Sequence, residues 1–88
     1  MRKVRQTNTF KHDLKKITNR SKNLNKLYEI VEKLVNDIKL EIRHKPHKLI
    51  GEYKNKFECH IEPDWLLIYE VTKDLVILYR TGSHADLF

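Results

Sequence analysis

His60-Ile61-Glu62-Pro63-Asp64-Trp65-Leu66-Leu67-Ile68-Tyr69 sets an imidazole, two carboxylates and an indole around a proline, then runs into the most apolar segment of the chain. Proline at the second position and aspartate at the third of Glu62-Pro63-Asp64-Trp65 suit a type I turn. Before the turn, Phe57, Cys59 and Ile61 alternate with Glu58, His60 and Glu62, the period-2 pattern of a half-buried strand. After it, residues 65–71 predict a buried second strand. A hairpin of this kind holds polar chemistry at one end of a rigid sheet, as a preorganised site requires.

Outward from the hairpin the texture changes on both sides. Residues 41–48 are basic, contain Pro46 and lack a period, which predicts a loop; residues 49–53 predict a short strand with Gly51 as a bulge or bend. Upstream, Leu24, Leu27, Tyr28, Val31, Leu34, Val35 and Ile38 form one helical stripe and predict a helix over about residues 23–39. A polar break at 19–23 separates it from an earlier helix carrying Phe10, Leu14 and Ile17. Thr9 is the expected N-cap of that earlier helix, and Asp13 is expected in or near its first turn. A weak strand around Val4 precedes it. Downstream, Thr72-Lys73-Asp74 predicts a turn and residues 75–81 a central strand ended by Gly82. Ser83 then caps a last turn, with Asp86 placed for a capping box. The expected fold is α+β: β-α-α followed by three or four mostly antiparallel strands, the helical hairpin packed on one face of the sheet.

Composition narrows the function. The 88 residues are 40% hydrophobic and 34% charged, as expected of one soluble domain spanning 1–88 with a core that needs no disulfide or metal. A net charge of +6 favours a polyanionic partner. One cysteine, Cys59, excludes an internal disulfide and suits a reducing cytoplasm. No apolar run follows the basic N-terminus, so neither a signal peptide nor a membrane span is expected.

The candidate chemistry lies late in the chain. His47 follows Pro46, His60 lies on a strand face, Asp64 and Glu62 lie in the turn, and His84 stands just past a strand end. Arg80 closes the last strand, and Lys54 belongs to a lysine-rich stretch. Histidine moves protons in both directions near neutrality. With a 2′-hydroxyl in the partner, one group can remove its proton, the oxygen can attack the adjacent phosphate, and a second group can protonate the leaving 5′-oxygen. Arg80 or Lys54 would stabilise the phosphoryl charge. Ordinary structural roles stand beside these: His12 and His44 as solvated residues, Trp65 and Tyr69 as core aromatics, Phe88 as a frayed end, Cys59 as a small buried hydrophobe. Metal ligation by His47, His60, Asp64 and His84 matches no compact ligand spacing. On residue chemistry alone, RNA binding and RNA cleavage both remain open.

The segments Pro46-His47-Lys48-Leu49 through Gly51, Cys59 through Tyr69, and Arg80-Thr81-Gly82-Ser83-His84-Ala85-Asp86-Leu87-Phe88 resemble the YafQ family of toxins, within the RelE/ParE superfamily of bacterial type II toxin–antitoxin systems. The resemblance is dense from residue 46 onward and rests on helical pattern alone before it. It implies a RelE-like fold and a ribosome-dependent endoribonuclease, an mRNA interferase, needing no cofactor. Its partners would be the ribosome, mRNA and an acidic, DNA-binding cognate antitoxin. By the same resemblance His47, His60, Asp64, Trp65, His84 and Phe88 match motif positions, and Arg80 opens the final motif. His84 is then the expected general acid, and Asp64 or His60 the base; alternatively Asp64 orients His60. His47 and Arg80 would hold the phosphate, and Trp65 or Phe88 would stack on or buttress a base. A ParE-like gyrase poison would not need the histidines, and a non-catalytic nucleic-acid-binding module would not explain their clustering.

Overall fold

The computed structural model describes residues 1–51 and 55–88. Its elements are β1 (Lys3–Gln6), α1 (Asn8–Asn19), α2 (Leu24–Val35), a 3-10 turn (Ile42–His44), β2 (His47–Lys48), β3 (Phe57–Glu62), β4 (Trp65–Val71), β5 (Leu75–Gly82) and α3 (His84–Leu87). The strands form a five-stranded sheet in the order β1-β5-β4-β3-β2. Only the β1–β5 pair is parallel, because two helices intervene between those strands; the pairs made by β2 to β5 are antiparallel. The α+β expectation holds, with the sheet mixed rather than wholly antiparallel.

The hairpin forms as its alternation predicts. Glu62 pairs with Trp65 across Pro63-Asp64, and Phe57 pairs with Tyr69, with a register shift between His60 and Glu62. Cys59, Ile61, Trp65, Leu67 and Tyr69 face the helices, where Phe10 and Ile17 of α1 and Leu27, Ile30 and Leu34 of α2 close the main core. On the other face Leu66 and Ile68 form a smaller cluster with Leu87, which ties α3 to the sheet.

Several expectations are corrected. Thr7, not Thr9, caps α1: its Oγ accepts from the Phe10 N–H at 3.0 Å and donates to the Tyr79 carbonyl at 2.9 Å. Asp13 therefore lies beyond the first turn and is buried. α2 ends at Val35, capped by Asn36, and Asp37 at φ 57° turns the chain away. Ile38 consequently leaves the helix and is 54% exposed; Tyr28 also faces out, and the buried line runs through Ile30 instead. The basic loop contains the 3-10 turn, ended by Lys45 at φ 44°, and His44 there is buried rather than solvated. Its strand is displaced to His47–Lys48, two residues ahead of the expected start, so that β2 can pair with β3. Gly51, expected as a bulge or bend, has a positive φ of 74°. The remainder of the 49–53 expectation, and Lys54, fall on residues outside those described.

Candidate active site

Asp64, at the tip of the β3–β4 hairpin, meets His84, the first residue of α3. One carboxylate oxygen, Oδ1, accepts from the His84 backbone N–H at 2.9 Å and lies 2.6 Å from its Nδ1. A carboxylate only accepts, so Nδ1 carries the hydrogen and Nε2 is where a proton can come and go. These two hydrogen bonds, the backbone one foremost, hold the Asp64 carboxyl below the usual carboxylate range. The expectation that Asp64 orients His60 is thus corrected: its partner is His84, because the capped turn brings that residue's N–H to the hairpin tip.

His60 lies beside this pair, its ring centroid 5.8 Å from that of His84 and 6.3 Å from that of His47. Its Nδ1 donates to the Pro63 carbonyl at 3.2 Å, and the buried His44 donates from Nδ1 to the carbonyl of His60 at 2.7 Å. His47 is arranged in the same sense, with Nδ1 donating to the Lys45 carbonyl at 2.8 Å. In His47, His60 and His84, Nδ1 is committed to an oxygen acceptor, which selects Nε2 as the reactive nitrogen.

Residue chemistry had passed over Glu58. It is buried, pairs with His47 across the β2–β3 ladder, and sits with Oε1 3.2 Å from His47 Nε2 and 3.8 Å from His60 Nε2. Because His47 Nδ1–H is engaged elsewhere, the shorter contact is favourable only with a proton on one of the two groups. Glu58 thus links His47 to His60 across the β2–β3 ladder. The available signal was positional: Glu58 shares the polar face of its strand with His60.

Arg80 also has a defined partner. Its Nε and one terminal nitrogen donate to Asp13 at 2.7 and 3.1 Å, and Asp13 Oδ2 accepts from the Thr81 N–H at 3.2 Å as well. This two-pronged grip fixes the guanidinium against α1. Trp65 is wholly buried and donates from Nε1 to Thr81 Oγ at 2.9 Å, so it supports the hairpin but offers no face for a base to stack on. Phe88 remains 64% exposed, its N–H bonded to the His84 carbonyl at 2.9 Å. Beside His60 a depression is lined by Lys26, Arg43 and Lys45.

Glu62, considered for chemistry, is instead neutralised by Lys26 and Lys22 at 2.8 and 3.0 Å, which hold its carboxyl below the usual range. Among the described residues, no group of three or more His, Cys, Asp or Glu side chains is arranged to hold a metal ion. No helix among them is long and apolar enough to cross a membrane.

The family described as a bacterial toxin of type II toxin–antitoxin systems, YafQ, matches residues 2–88. The mRNA interferase toxin YafQ of Escherichia coli strain K12 is 38% identical over 88 residues, covering 99% of this chain and 96% of that protein. In the crystal structure of the E. coli DinJ–YafQ toxin–antitoxin complex, a chain 38% identical superposes with a TM-score of 0.90, covering 99% of this chain and 97% of that one. A metal-bound toxin from Helicobacter pylori, 36% identical and fully covered in both chains, superposes with a TM-score of 0.93.

Proposed function

The chain belongs to the YafQ family of type II toxin–antitoxin toxins, and from that premise we propose that it is an mRNA interferase that cuts message on the ribosome by metal-independent acid–base chemistry. The observation that carries this reading is the His84–Asp64 pair set beside His60, with Nδ1 of both rings engaged so that Nε2 is the reactive nitrogen.

His60 takes the 2′-hydroxyl proton. The Glu58 carboxylate behind it stabilises the imidazolium that forms. Asp64 is the weaker candidate base, because its carboxyl is held low and its Oδ1 already accepts two hydrogen bonds. The 2′-oxygen attacks the adjacent phosphate as the bond to the 5′-oxygen breaks. His84, as the imidazolium stabilised by Asp64, gives its Nε2 proton to the departing oxygen. The products are a 2′,3′-cyclic phosphate, open to hydrolysis to a 3′-phosphate, and a 5′-hydroxyl. Arg80, held by Asp13, and His47 face the developing phosphoryl charge. Phe88 buttresses a base, and the lysine-rich stretch that includes Lys54 grips RNA electrostatically.

An acidic antitoxin would neutralise the toxin by covering its basic surface, an association that is fast and salt-sensitive. The DinJ–YafQ complex of a relative is the precedent for such a partner.

The test is single-turnover cleavage of ribosome-bound message by His84→Gln. The expected result is a loss of about 10²–10⁴-fold with an unchanged circular dichroism spectrum; a folded variant cutting at the normal rate overturns the assignment. Since the H. pylori relative was crystallised with metal bound, chelation is the companion measurement. Cleavage is expected to survive removal of free metal while magnesium sufficient for ribosome assembly is buffered separately.

A further inference from the structure

We propose that Arg20 is a positioning residue for His84, acting through Asp86 to hold the C-terminal turn at the hairpin tip; the proposal rests on His84 being the proton donor. Arg20 is the C-cap of α1, its N–H bonded to the carbonyls of Lys16 and Ile17, and its backbone is therefore fixed. Its guanidinium reaches 66 residues along the chain and grips Asp86 with two hydrogen bonds, 2.5 Å to Oδ2 and 3.0 Å to Oδ1. Asp86 Oδ2 also accepts from the Ser83 N–H at 2.9 Å, and Ser83 Oγ accepts from the Asp86 N–H at 3.2 Å. One carboxylate thus joins the end of the first helix to the cap from which His84 emerges.

The approach is close enough to restrict the sequence at residue 82. A Cβ there would lie 2.9 Å from both Asp86 Cβ and Asp86 Oδ2, and the backbone has φ 157°, so glycine allows the carboxylate to fold under the strand end. α3 is only His84–Leu87, too short to hold itself together. Beyond its cap, it is held at three places: Leu87 in the small apolar cluster, the His84 N–H on Asp64, and the Arg20–Asp86 grip. Arg20 and the Ser83 cap hold the Asp86 carboxyl well below the usual carboxylate range, so the bridge is ionised at any working pH. The Arg20 side chain is about half-exposed and that of Asp86 partly so, and ion pairs open to solvent add little to global stability. The consequence of the pair is local: it fixes the direction of an imidazole whose reaction tolerates little displacement.

Arg20→Gln and Asp86→Asn should each lower the single-turnover rate at saturating ribosome complex about ten-fold, leaving the half-saturating concentration and melting temperature unchanged. Asp86→Asn keeps an acceptor for the Ser83 N–H and so isolates the loss of the arginine. Arg20→Lys, which keeps the charge without the fork, should recover less than half of the lost rate. In a His84→Gln background Arg20→Gln should cost nothing further, and in the otherwise unchanged protein it should speed amide exchange at His84. A raised half-saturating concentration with the rate intact, or an equal loss in the His84→Gln background, would show that Arg20 acts on RNA directly and overturn the proposal. If His84→Gln itself cleaves normally, the proton-donor reading fails separately. The exchange measurement still decides the grip, since unchanged exchange at His84 in Arg20→Gln removes it.

Discussion

On the face of the sheet beneath the helices, Cys59, Trp65 and Leu67 are wholly buried, and Trp65 Nε1 donates to Thr81 Oγ. On the opposite face the intervening residues Glu58 and His60 meet His47 and His84, and among the described residues the apolar support is Leu66, Ile68 and Leu87 with Leu49 and Tyr79 packed around them. The same β3–β4 hairpin builds both. Strand alternation sends every second side chain to each side, so one short stretch supplies a core and a site without either intruding on the other. The covered face is ordered by burial. The open face is ordered by hydrogen bonds: Asp64 to His84, Pro63 to His60, Lys45 to His47 and Arg20 to Asp86. Substitutions on the two faces should therefore separate stability from rate.

Trp65→Ala should show the largest effect. Emptying a fully buried indole site costs about 3–5 kcal/mol, read as a lower denaturant midpoint, and activity should fall only as the folded fraction falls. A variant of normal stability that cleaves slowly would move Trp65 to the chemical side. Glu58→Gln should do the opposite: a rate loss of about 10²-fold or more with a stability change within about 1 kcal/mol, since a neutral amide carries no buried charge. Stability loss comparable with Trp65→Ala would make Glu58 a structural residue.

These contrasts also explain what was legible beforehand. The hairpin, the central last strand and the Ser83–Asp86 cap could be read because alternation, turn chemistry and capping are local signals. The helix bounds were harder: a stripe broad enough to include Tyr28 and Ile38 does not say which edge is covered, and Asn36-Asp37, where the backbone turns left-handed, is only a weak stop signal. His47, His60, Asp64 and His84 were found as a set through motif resemblance, yet their pairing was not. Asp64 is four residues from His60 in sequence, whereas its bond to His84 depends on β5 returning beside β4. The partners of Glu58 and Asp13 were missed for the same reason. Each acts through a partner brought by tertiary contact, His47 across a two-residue strand and Arg80 from 67 residues away.

A smaller effect should appear at Cys59. Burial, then the neighbouring Glu58 charge, pushes its thiol up to about 12, so at pH 8 a thiol reagent should label it only as fast as the protein opens. Prompt stoichiometric labelling of the native protein would show that the covered face is not closed.

The smallest effect is a pH dependence confined to the open face. The Asp64 and Asp86 carboxyls are both held below the ordinary value of 3.8. A depressed carboxyl contributes its stabilisation above the unfolded value and loses it as pH falls through the folded one. The C-terminal turn should accordingly keep its amide protection between pH 7 and 5 and loosen only below about pH 4, while the near-ultraviolet spectrum of the core persists. Loosening already at pH 6 would mean that histidine protonation, rather than these carboxylates, governs the turn.

The measurement closest to the central claim replaces the leaving 5′-oxygen of a ribosome-bound message with sulfur at the scissile linkage. A thiolate leaves without needing a proton, so the substitution bypasses a general acid. His84→Gln is predicted to cleave this substrate at close to the rate of the unsubstituted protein, while His60→Gln remains slow because the 2′-hydroxyl must still be deprotonated. If His84→Gln is as impaired on the sulfur linkage as on the oxygen linkage, His84 does not deliver the proton, and the division of labour proposed for the open face is wrong.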